Sequence, residues 1–168
     1  MLFRSRFAYH FARGKLGGDP AFAGLLAHGL IPAPAPVRVL DIGCGQGLLA
    51  SWLHAARTLH AQQQWLAEWP APPQLQSYHG IELMPRDVER ARHALHNMNE
   101  FSRFTAGNMC TTDFGKADVV VILDVLHYID IAAQNDVLRR VRDALAPNGT
   151  LLLRVGDAAA GLPFKYSV

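Results

Sequence analysis

A glycine-rich string after an apolar run constrains this chain more than any other feature. The run Val37–Ile42 is short and mostly apolar, which predicts a buried strand. Gly43, Gly45 and Gly47 follow at once, and from Leu48 onward the apolar residues recur at helical spacing. Glycines allow a backbone to turn tightly and to approach a ligand without intervening side chains. The string therefore predicts a strand, a ligand-binding turn and a helix in succession.

The same alternation continues along the chain. A helix is predicted from Pro85, and further strands are predicted at 78–83, 101–106, 117–123 and 150–155, with Pro147-Asn-Gly149 as a turn before the last of them. This order is typical of a parallel sheet with crossover helices on both faces. We therefore expect a Rossmann-like, doubly wound α/β domain. Its ligand should lie at the carboxyl ends of the strands.

The first 36 residues predict a separate segment. Asp19-Pro20 has the pattern of a helix start, Gly29 that of a helix end, and 31–36 is a proline-rich connector. We expect a helical arm and connector at 1–36 and a ligand-binding domain at 37–168. An aromatic stripe at helical spacing predicts that the arm packs on the domain, with contact to an anionic membrane as the alternative; it comprises Phe3, Phe7 and Phe11.

Composition excludes several classes of protein. A chain of 168 residues with a net charge of +2 and no basic run gives no basis for nucleic-acid binding. No apolar run approaches the roughly 20 residues of a membrane span. Two cysteines without a disulfide pattern predict a reduced, cytoplasmic protein. Glu89, His93 and His96 share a helix side, but no fourth ligand is evident, so we expect no metal.

The carboxylate of Asp41 indicates the charge of the ligand. It stands two residues before the first glycine, where it would repel a pyrophosphate and attract ammonium and sulfonium groups. This favours S-adenosylmethionine over a nicotinamide dinucleotide. A tight turn with no ligand is the structural alternative for the glycines.

The string Asp-x-Gly-x-Gly-x-Gly at 41–47 resembles motif I of class I S-adenosylmethionine-dependent methyltransferases. The resemblance covers 37–156 and implies that the cofactor is bound by Asp41, Gly43, Cys44, Gly45 and Gly47. It also implies that the acidic residue after the second strand, here Glu82 with Leu83 beside it, binds the ribose hydroxyls. Glu82 follows Gly47 by 35 residues, against about 20 in an ordinary dinucleotide unit, so a Gln/Trp/Pro-rich insertion is predicted between them.

The resemblance assigns three further regions. Asn108 stands where the family often has an aspartate that accepts from adenine. Met109 beside it would pack on the adenine ring, with a place in the core as the alternative. Asp124 would face the methionine part of the cofactor. His127 would lie near the transferred methyl as the catalytic base, with a loop-holding histidine as the alternative. Arg13 of the arm would reach the cofactor carboxylate, with solvated charge as the alternative.

Short strings look like one bacterial subgroup, the methyltransferases of aryl polyene and xanthomonadin-type pigment biosynthesis. The strings are Ala12–Leu16, Gly80–Arg86 and Asp124–Asp130. The implied function is methyl transfer to a small aromatic or phenolic acceptor, free or carrier-bound. A cofactor-binding module without catalysis is one alternative. An NAD-dependent oxidoreductase is another, disfavoured because the glycine spacing differs from Gly-x-Gly-x-x-Gly.

The family fold also has a sixth and a seventh strand. Only 156–168 follow the fifth strand here, which predicts a C-terminally truncated domain. The fifth strand would then be an exposed sheet edge, and such an edge favours pairing with another chain. We therefore expect a homodimer through this strand.

Overall fold

A computed structural model of the protein describes residues 14, 17–33, 35–98 and 100–156. The strands are β1 (Val37–Ile42), β2 (Leu75–Glu82), β3 (Ser102–Ala106), β4 (Ala117–Leu123) and β5 (Leu145–Arg154). The helices are α1 (Pro20–Ala27), α2 (Leu48–Ala61), α3 (Pro85–Ala94) and α4 (Ile131–Ala144). Single 3-10 turns occupy His96–Met98 and Leu126–Tyr128.

The five strands form one parallel sheet in the order β3-β2-β1-β4-β5. The chain builds outward from β1 to β3 and then returns to place β4 on the other side of β1. Two neighbouring strands therefore send their connections in opposite directions, which opens a crevice at their carboxyl ends. The predicted Rossmann-like α/β fold is confirmed.

Apolar side chains on the two faces of the sheet build two separate cores. One face packs against α1, α2 and α3, and buried Leu53 and Val88 belong to this core. The other face packs against α4, where Val137 and Val141 are buried against Ile122. Because β1 and β4 are covered on both faces, nearly all of their residues are buried.

Helix α1 is joined to the domain by its cap and by its backbone. The Asp19 side chain accepts a hydrogen bond from the Ala21 amide at 3.0 Å, as predicted for a helix start. The indole of Trp52 on α2 donates to the Phe22 carbonyl at 2.8 Å. These contacts place Phe22 on the same side of the sheet as the glycine-rich turn.

The predicted turn at Pro147-Asn-Gly149 is wrong as a separate element. It lies inside β5 as a bulge, because Ala117 pairs with Leu145 while Val119 pairs with Thr150. Asn148 adopts a φ of 62° within this bulge. The residues expected to end one element are thus accommodated within a strand, since β4 continues the ladder on both sides of them.

The insertion between α2 and β2 folds back on itself. Trp65 and Trp69 meet edge to face with ring centroids 5.6 Å apart, and the Trp65 indole donates to the Pro70 carbonyl at 2.9 Å. Both rings pack against the core that contains α1 and α2. The insertion therefore lengthens the path between the two strands, which pair in parallel with one register shift between Val37 and Arg38.

Two further observations concern the outside of the domain. None of the helices among the described residues is long and apolar enough to cross a membrane. Within 100–156, β5 pairs with β4 on one side and is the edge of the sheet.

Candidate functional site

A cavity of about 830 Å³ opens at the carboxyl ends of β1, β2 and β4. Ten of the twelve predicted site residues line it: Asp41, Gly43, Cys44, Gly45, Glu82, Leu83, Asn108, Met109, Asp124 and His127. Gly47 lies outside the lining, and Arg13 lies outside the described residues. The strand order thus brings four stretches that are distant in sequence to one place.

Two glycines of the turn have different structural roles. Gly45 has a φ of 54°, and a Cβ built on it would meet no atom within 4 Å, so its backbone faces open space. Gly47 has a φ of 75° and begins α2, but its Cβ would lie 2.9 Å from a Leu95 methyl and 3.1 Å from the Ala91 Cβ. Gly45 therefore leaves room in the cavity, whereas Gly47 lets α2 and α3 approach each other.

Alanine at these two positions is expected to separate those roles. Gly45→Ala should cost about 1 kcal/mol of unfolding free energy, the strain of a left-handed alanine. Gly47→Ala should cost about 3 kcal/mol, because an overpacked contact is added to the same strain. Urea unfolding of both variants checks this, and equal losses would contradict it.

Asp41 is the buried acid at the floor of the cavity. It is 4% exposed, and the Tyr78 hydroxyl donates a hydrogen bond to its Oδ2. Burial raises the pKa of Asp41 to about 7, the Tyr78 hydrogen bond opposes that rise, and nearby Glu82 adds to it. The carboxyl is therefore close to half ionised at neutral pH, and a cation in the cavity would favour its charged form.

Glu82 fastens the glycine turn as well as lining the cavity. Its Oε2 accepts from the Gly45 amide at 3.0 Å and its Oε1 accepts from the Met84 amide at 2.9 Å. The Ile81 carbonyl also accepts from the amides of Gly43 and Cys44. Each carboxylate oxygen keeps a lone pair for a further donor, so the structure leaves Glu82 able to accept from hydroxyls.

Asn108 shapes the loop after β3. Its Oδ1 accepts from the Cys110 amide at 2.9 Å, which closes a short side-chain turn. Arg140 of α4 holds the same loop, because it donates to the Met109 carbonyl at 2.7 Å and to the Thr112 carbonyl. The Asn108 amide oxygen, which was expected to accept from a ligand, thus already has a backbone partner. This hydrogen bond also fixes the orientation of the Asn108 side chain.

Asp124 belongs to a charged cluster at the mouth of the cavity. It adopts a φ of 59° directly after β4 and pairs with the guanidinium of Arg154 at the end of β5. The same guanidinium binds both carboxylate oxygens of Asp19, at 2.6 and 2.7 Å. Arg154 therefore links the start of α1 to the ends of β4 and β5, and these two carboxylates raise its pKa.

His127 brings an unsatisfied imidazole to the cavity. Both ring nitrogens are buried and have no hydrogen-bond partner among the described residues. The ring packs on Tyr128 with centroids 4.4 Å apart, in the short turn after β4. Buried polar atoms usually have partners, so an unpartnered pair beside a cavity indicates a ligand position.

The thiol of Cys44 is unsuited to nucleophilic chemistry. It is buried at 6% exposure, and burial together with the Asp41 and Glu82 carboxylates raises its pKa. Thiolate is the reactive form, so this cysteine is a small packing residue of the turn.

Sequence reasoning missed three residues of the site: Tyr78, Gln46 and Arg154. Gln46 is 7% exposed, lines the cavity and has an amide oxygen without a partner among the described residues. The sequence shows a tyrosine within a strand and a glutamine between two glycines, and both are unusual enough to be noticed. It does not show which residues on other elements these side chains and Arg154 contact.

Comparison with known proteins is consistent with this geometry. A methyltransferase domain family matches residues 40–151. The tetracenomycin polyketide synthesis 8-O-methyl transferase TcmO of Streptomyces glaucescens is 27% identical over 147 residues, covering 84% of this chain and 38% of that protein.

Solved structures resemble the chain as well. CalS10 of Micromonospora echinaspora is an S-adenosylmethionine-bound amino pentose methyltransferase of calicheamicin biosynthesis. It is 25% identical with a TM-score of 0.62, covering 89% of this chain and 55% of its own. An O-methyltransferase family protein from Burkholderia thailandensis shares the fold at 20% identity and a TM-score of 0.59, over 94% of this chain and 43% of its own. The chain thus spans about half or less of these relatives' length, and because the family match extends over more than half of the chain, it belongs to the methyltransferase domain family.

Proposed function

We propose that this protein transfers a methyl group from S-adenosylmethionine to a small acceptor. The observation that carries the proposal is the cavity at the switch point of the sheet. An open Gly45 backbone, four acidic residues including Asp41 and Glu82, and a histidine without a partner among the described residues line it. CalS10, which resembles 89% of this chain, is described as bound to this cofactor.

The chemistry of the lining fits the cofactor. Asp41 and Glu82 supply carboxylates for a cationic amino acid part and for ribose hydroxyls. Asn108 and Met109 supply a polar edge and an apolar face for a base, and the backbone at Cys44 and Leu83 completes the wall. S-adenosylmethionine, when bound, supplies a methyl group activated by its sulfonium. We keep Arg13 as a proposed partner of the cofactor carboxylate.

The protein's own part is to orient the acceptor and exclude water. We propose that His127 takes the proton of an acceptor hydroxyl at one ring nitrogen, which a neutral imidazole can do near pH 7. Its ring packs on Tyr128, and neither nitrogen is committed to another described group. Asp124, held by Arg154, would keep the turn after β4 in place beneath it.

We propose a phenolic or other aromatic hydroxyl as the acceptor, free or carrier-bound. Apolar and aromatic side chains line the same cavity as His127, including Phe22, Val125, Tyr128 and Ile129. TcmO, by its description, methylates an oxygen in polyketide synthesis, and this supports a hydroxyl acceptor. Membership of the aryl polyene subgroup stays a prediction.

Assembly and location stay predictions too. The homodimer through β5 is supported by its position at the sheet edge and by the exposed Leu153 and Val155 near its end. The two cysteines, both free in the structure, support a reducing, cytoplasmic setting.

The function is tested by binding and turnover with the same samples. Titration calorimetry should show micromolar binding of S-adenosylmethionine and S-adenosylhomocysteine and none of NAD. Turnover of a phenol panel, followed as S-adenosylhomocysteine formed, should fall about a hundredfold in His127→Asn with unchanged cofactor affinity, the usual share of a general base.

The outcomes distinguish the alternatives. Cofactor binding without turnover of any acceptor would support a binding module that does not catalyse. Binding of NAD alone would refute methyl transfer. Tyr128→Phe is the matched variant, and it should retain more activity than His127→Asn, because the ring that packs on His127 is kept.

A further inference from the structure

Tyr78 on β2 donates a hydrogen bond to the carboxyl of Asp41 on the neighbouring strand β1. Asp41 on β1 pairs in register with Gly80 on β2, and Tyr78 lies two residues earlier on the same face of β2. A side chain at position 80 would clash, because its Cβ would lie 2.7 Å from the Cys44 sulfur and 2.7 Å from the Phe104 ring. The absence of that side chain makes room for Cys44 and Phe104 beside Tyr78, whose hydroxyl donates to the Asp41 Oδ2.

The Tyr78 ring packs in the core with its centroid 5.9 Å from that of Phe104, but this packing does not require the Tyr78 hydroxyl or the Asp41 carboxyl. Tyr78 is 1% exposed and Asp41 is 4% exposed, so both polar groups have been removed from water in the domain core. A phenylalanine and an apolar residue would fill the same space with no cost of desolvation. Of the two groups, only the Asp41 carboxyl lines the cavity, while the Tyr78 hydroxyl donates to Asp41 and meets the backbone amide of Ala50.

We infer that Tyr78 is a positioning residue whose hydroxyl holds the Asp41 carboxyl at the cavity floor and couples the binding of a cationic ligand there to the loss of a proton from that carboxyl. The inference rests on the proposed function, since S-adenosylmethionine is the cation in question. In the step, the Asp41 O–H bond breaks, the proton leaves to the buffer, and the carboxylate stays paired with the ligand's positive charge.

Few ionisable groups surround Asp41. From β2 they are Tyr78 and Glu82, and from the glycine turn Cys44. β4, on the other side of β1, places Val121 opposite Asp41. The remaining ionisable groups of the cavity are Asp87, Asp124, His127, Tyr128 and Arg154. Because carboxylates are the most numerous of these groups, a proton on Asp41 lowers the repulsion among them in the ligand-free protein. A bound cation would take the place of that proton.

The pKa of Asp41 in the ligand-free protein gives the first test, which needs no cofactor. The carboxyl carbon resonance of Asp41, assigned by its absence in Asp41→Asn, should titrate near pH 7. Tyr78→Phe should raise this midpoint by about one unit, the loss of one hydrogen bond to the charged form. Ser102→Ala deletes another buried hydroxyl, one bonded to the Met98 carbonyl, and should leave the midpoint unchanged.

The binding enthalpy of S-adenosylmethionine, measured at pH 7 in buffers of different ionisation enthalpy, gives the second test. For each S-adenosylmethionine bound, wild type should release about half a proton to the buffer, and Tyr78→Phe nearly one proton. Tyr78→Phe should bind about fivefold more weakly at pH 7, because the ionised fraction of Asp41 falls from about half to about a tenth. At pH 9 both proteins have an ionised Asp41, so their affinities should be equal.

Each remaining outcome overturns a specific statement. An affinity loss in Tyr78→Phe that persists at pH 9, or binding without buffer dependence in wild type, overturns the inference and leaves methyl transfer standing. A Tyr78→Phe midpoint equal to that of wild type overturns it as well. If S-adenosylmethionine binds none of the folded variants, the proposed function fails and the inference fails with it.

Discussion

Replacing Asp41 with asparagine is expected to stabilise the ligand-free protein while weakening S-adenosylmethionine binding about a hundredfold. The gain comes from removing a buried acid whose pKa is raised from 3.8 to about 7 by desolvation. The loss comes from removing the charge that faces a cationic ligand, because deleting one partner of a buried charge pair typically costs a few kcal/mol. Opposite effects on stability and binding are the signature of a functional buried charge.

The sign of the pH dependence follows from the direction of that shift. Below about pH 4, Asp41 is protonated in both the folded and the unfolded chain and contributes nothing. Between about pH 4 and pH 7 the folded chain holds the proton more tightly, so the stability of wild type falls as the pH rises. Above pH 7 the full cost of about 2 to 4 kcal/mol is present. Asp41→Asn should therefore gain most at pH 8 and little at pH 4.

Urea unfolding of wild type and Asp41→Asn at pH 4, 6 and 8 measures this difference. Asp118→Asn is the control, since Asp118 pairs with Arg38 at the amino ends of the strands, far from the cavity. Arg38 lowers the pKa of Asp118, so this variant should lose stability at neutral pH and bind the cofactor as wild type does. An Asp41→Asn protein that is less stable than wild type at pH 8 would show that the carboxylate is needed for folding.

Removing the Arg154 guanidinium is expected to destabilise the domain by about 2 kcal/mol. Arg154 binds Asp19 and Asp124 together, and its loss leaves two facing carboxylates without their shared cation. A fully buried pair would cost more, but the Arg154 side chain is 31% exposed and water screens part of the effect. Arg154→Met keeps most of the apolar stem, so the loss reports the charge.

Two further variants separate charge from packing in this cluster. Arg139→Met breaks a pair with Asp136 in which both side chains are about half exposed or more, and should cost less than about 0.5 kcal/mol. Adding Asp19→Asn and Asp124→Asn to Arg154→Met should restore most of the lost stability, because the repulsion disappears with the charges. Thermal unfolding of the series measures each step. Equal losses in Arg154→Met and Arg139→Met would mean that the cluster contributes no more than a surface pair.

Cofactor affinity should also fall in Arg154→Met, by a smaller factor than in Asp41→Asn. Asp124 holds a left-handed backbone at the cavity, and its ion pair with Arg154 maintains that position. The loss acts through the turn that carries His127, so turnover should fall more than affinity.

Much of the fold could be predicted from the sequence because its signals are local. The apolar run before Asp41, the glycines after it and the helical spacing from Leu48 all lie within one stretch of chain. Alternating strands and helices then imply a parallel sheet, and a parallel sheet places its site at the carboxyl ends of the strands. The family resemblance, together with this geometry, also assigned Glu82 and His127 to the site, and both line the cavity. Pro147-Asn-Gly149 was misassigned for the same reason, since a turn signal cannot reveal the neighbouring strand that accommodates it.

The partners of the site residues were decided by the tertiary structure. Tyr78 and Asp41 are 37 residues apart, and Arg154 and Asp19 are 135 apart. The first pair depends on the register of β1 and β2, and the second on where β5 ends relative to α1. Hydrogen bonds and ion pairs act over a few ångströms, so strand order and register determine which polar groups meet. The sequence by itself thus determined the glycine-rich turn and the family of the fold, while the packed sheet determined which charged groups meet beside that turn.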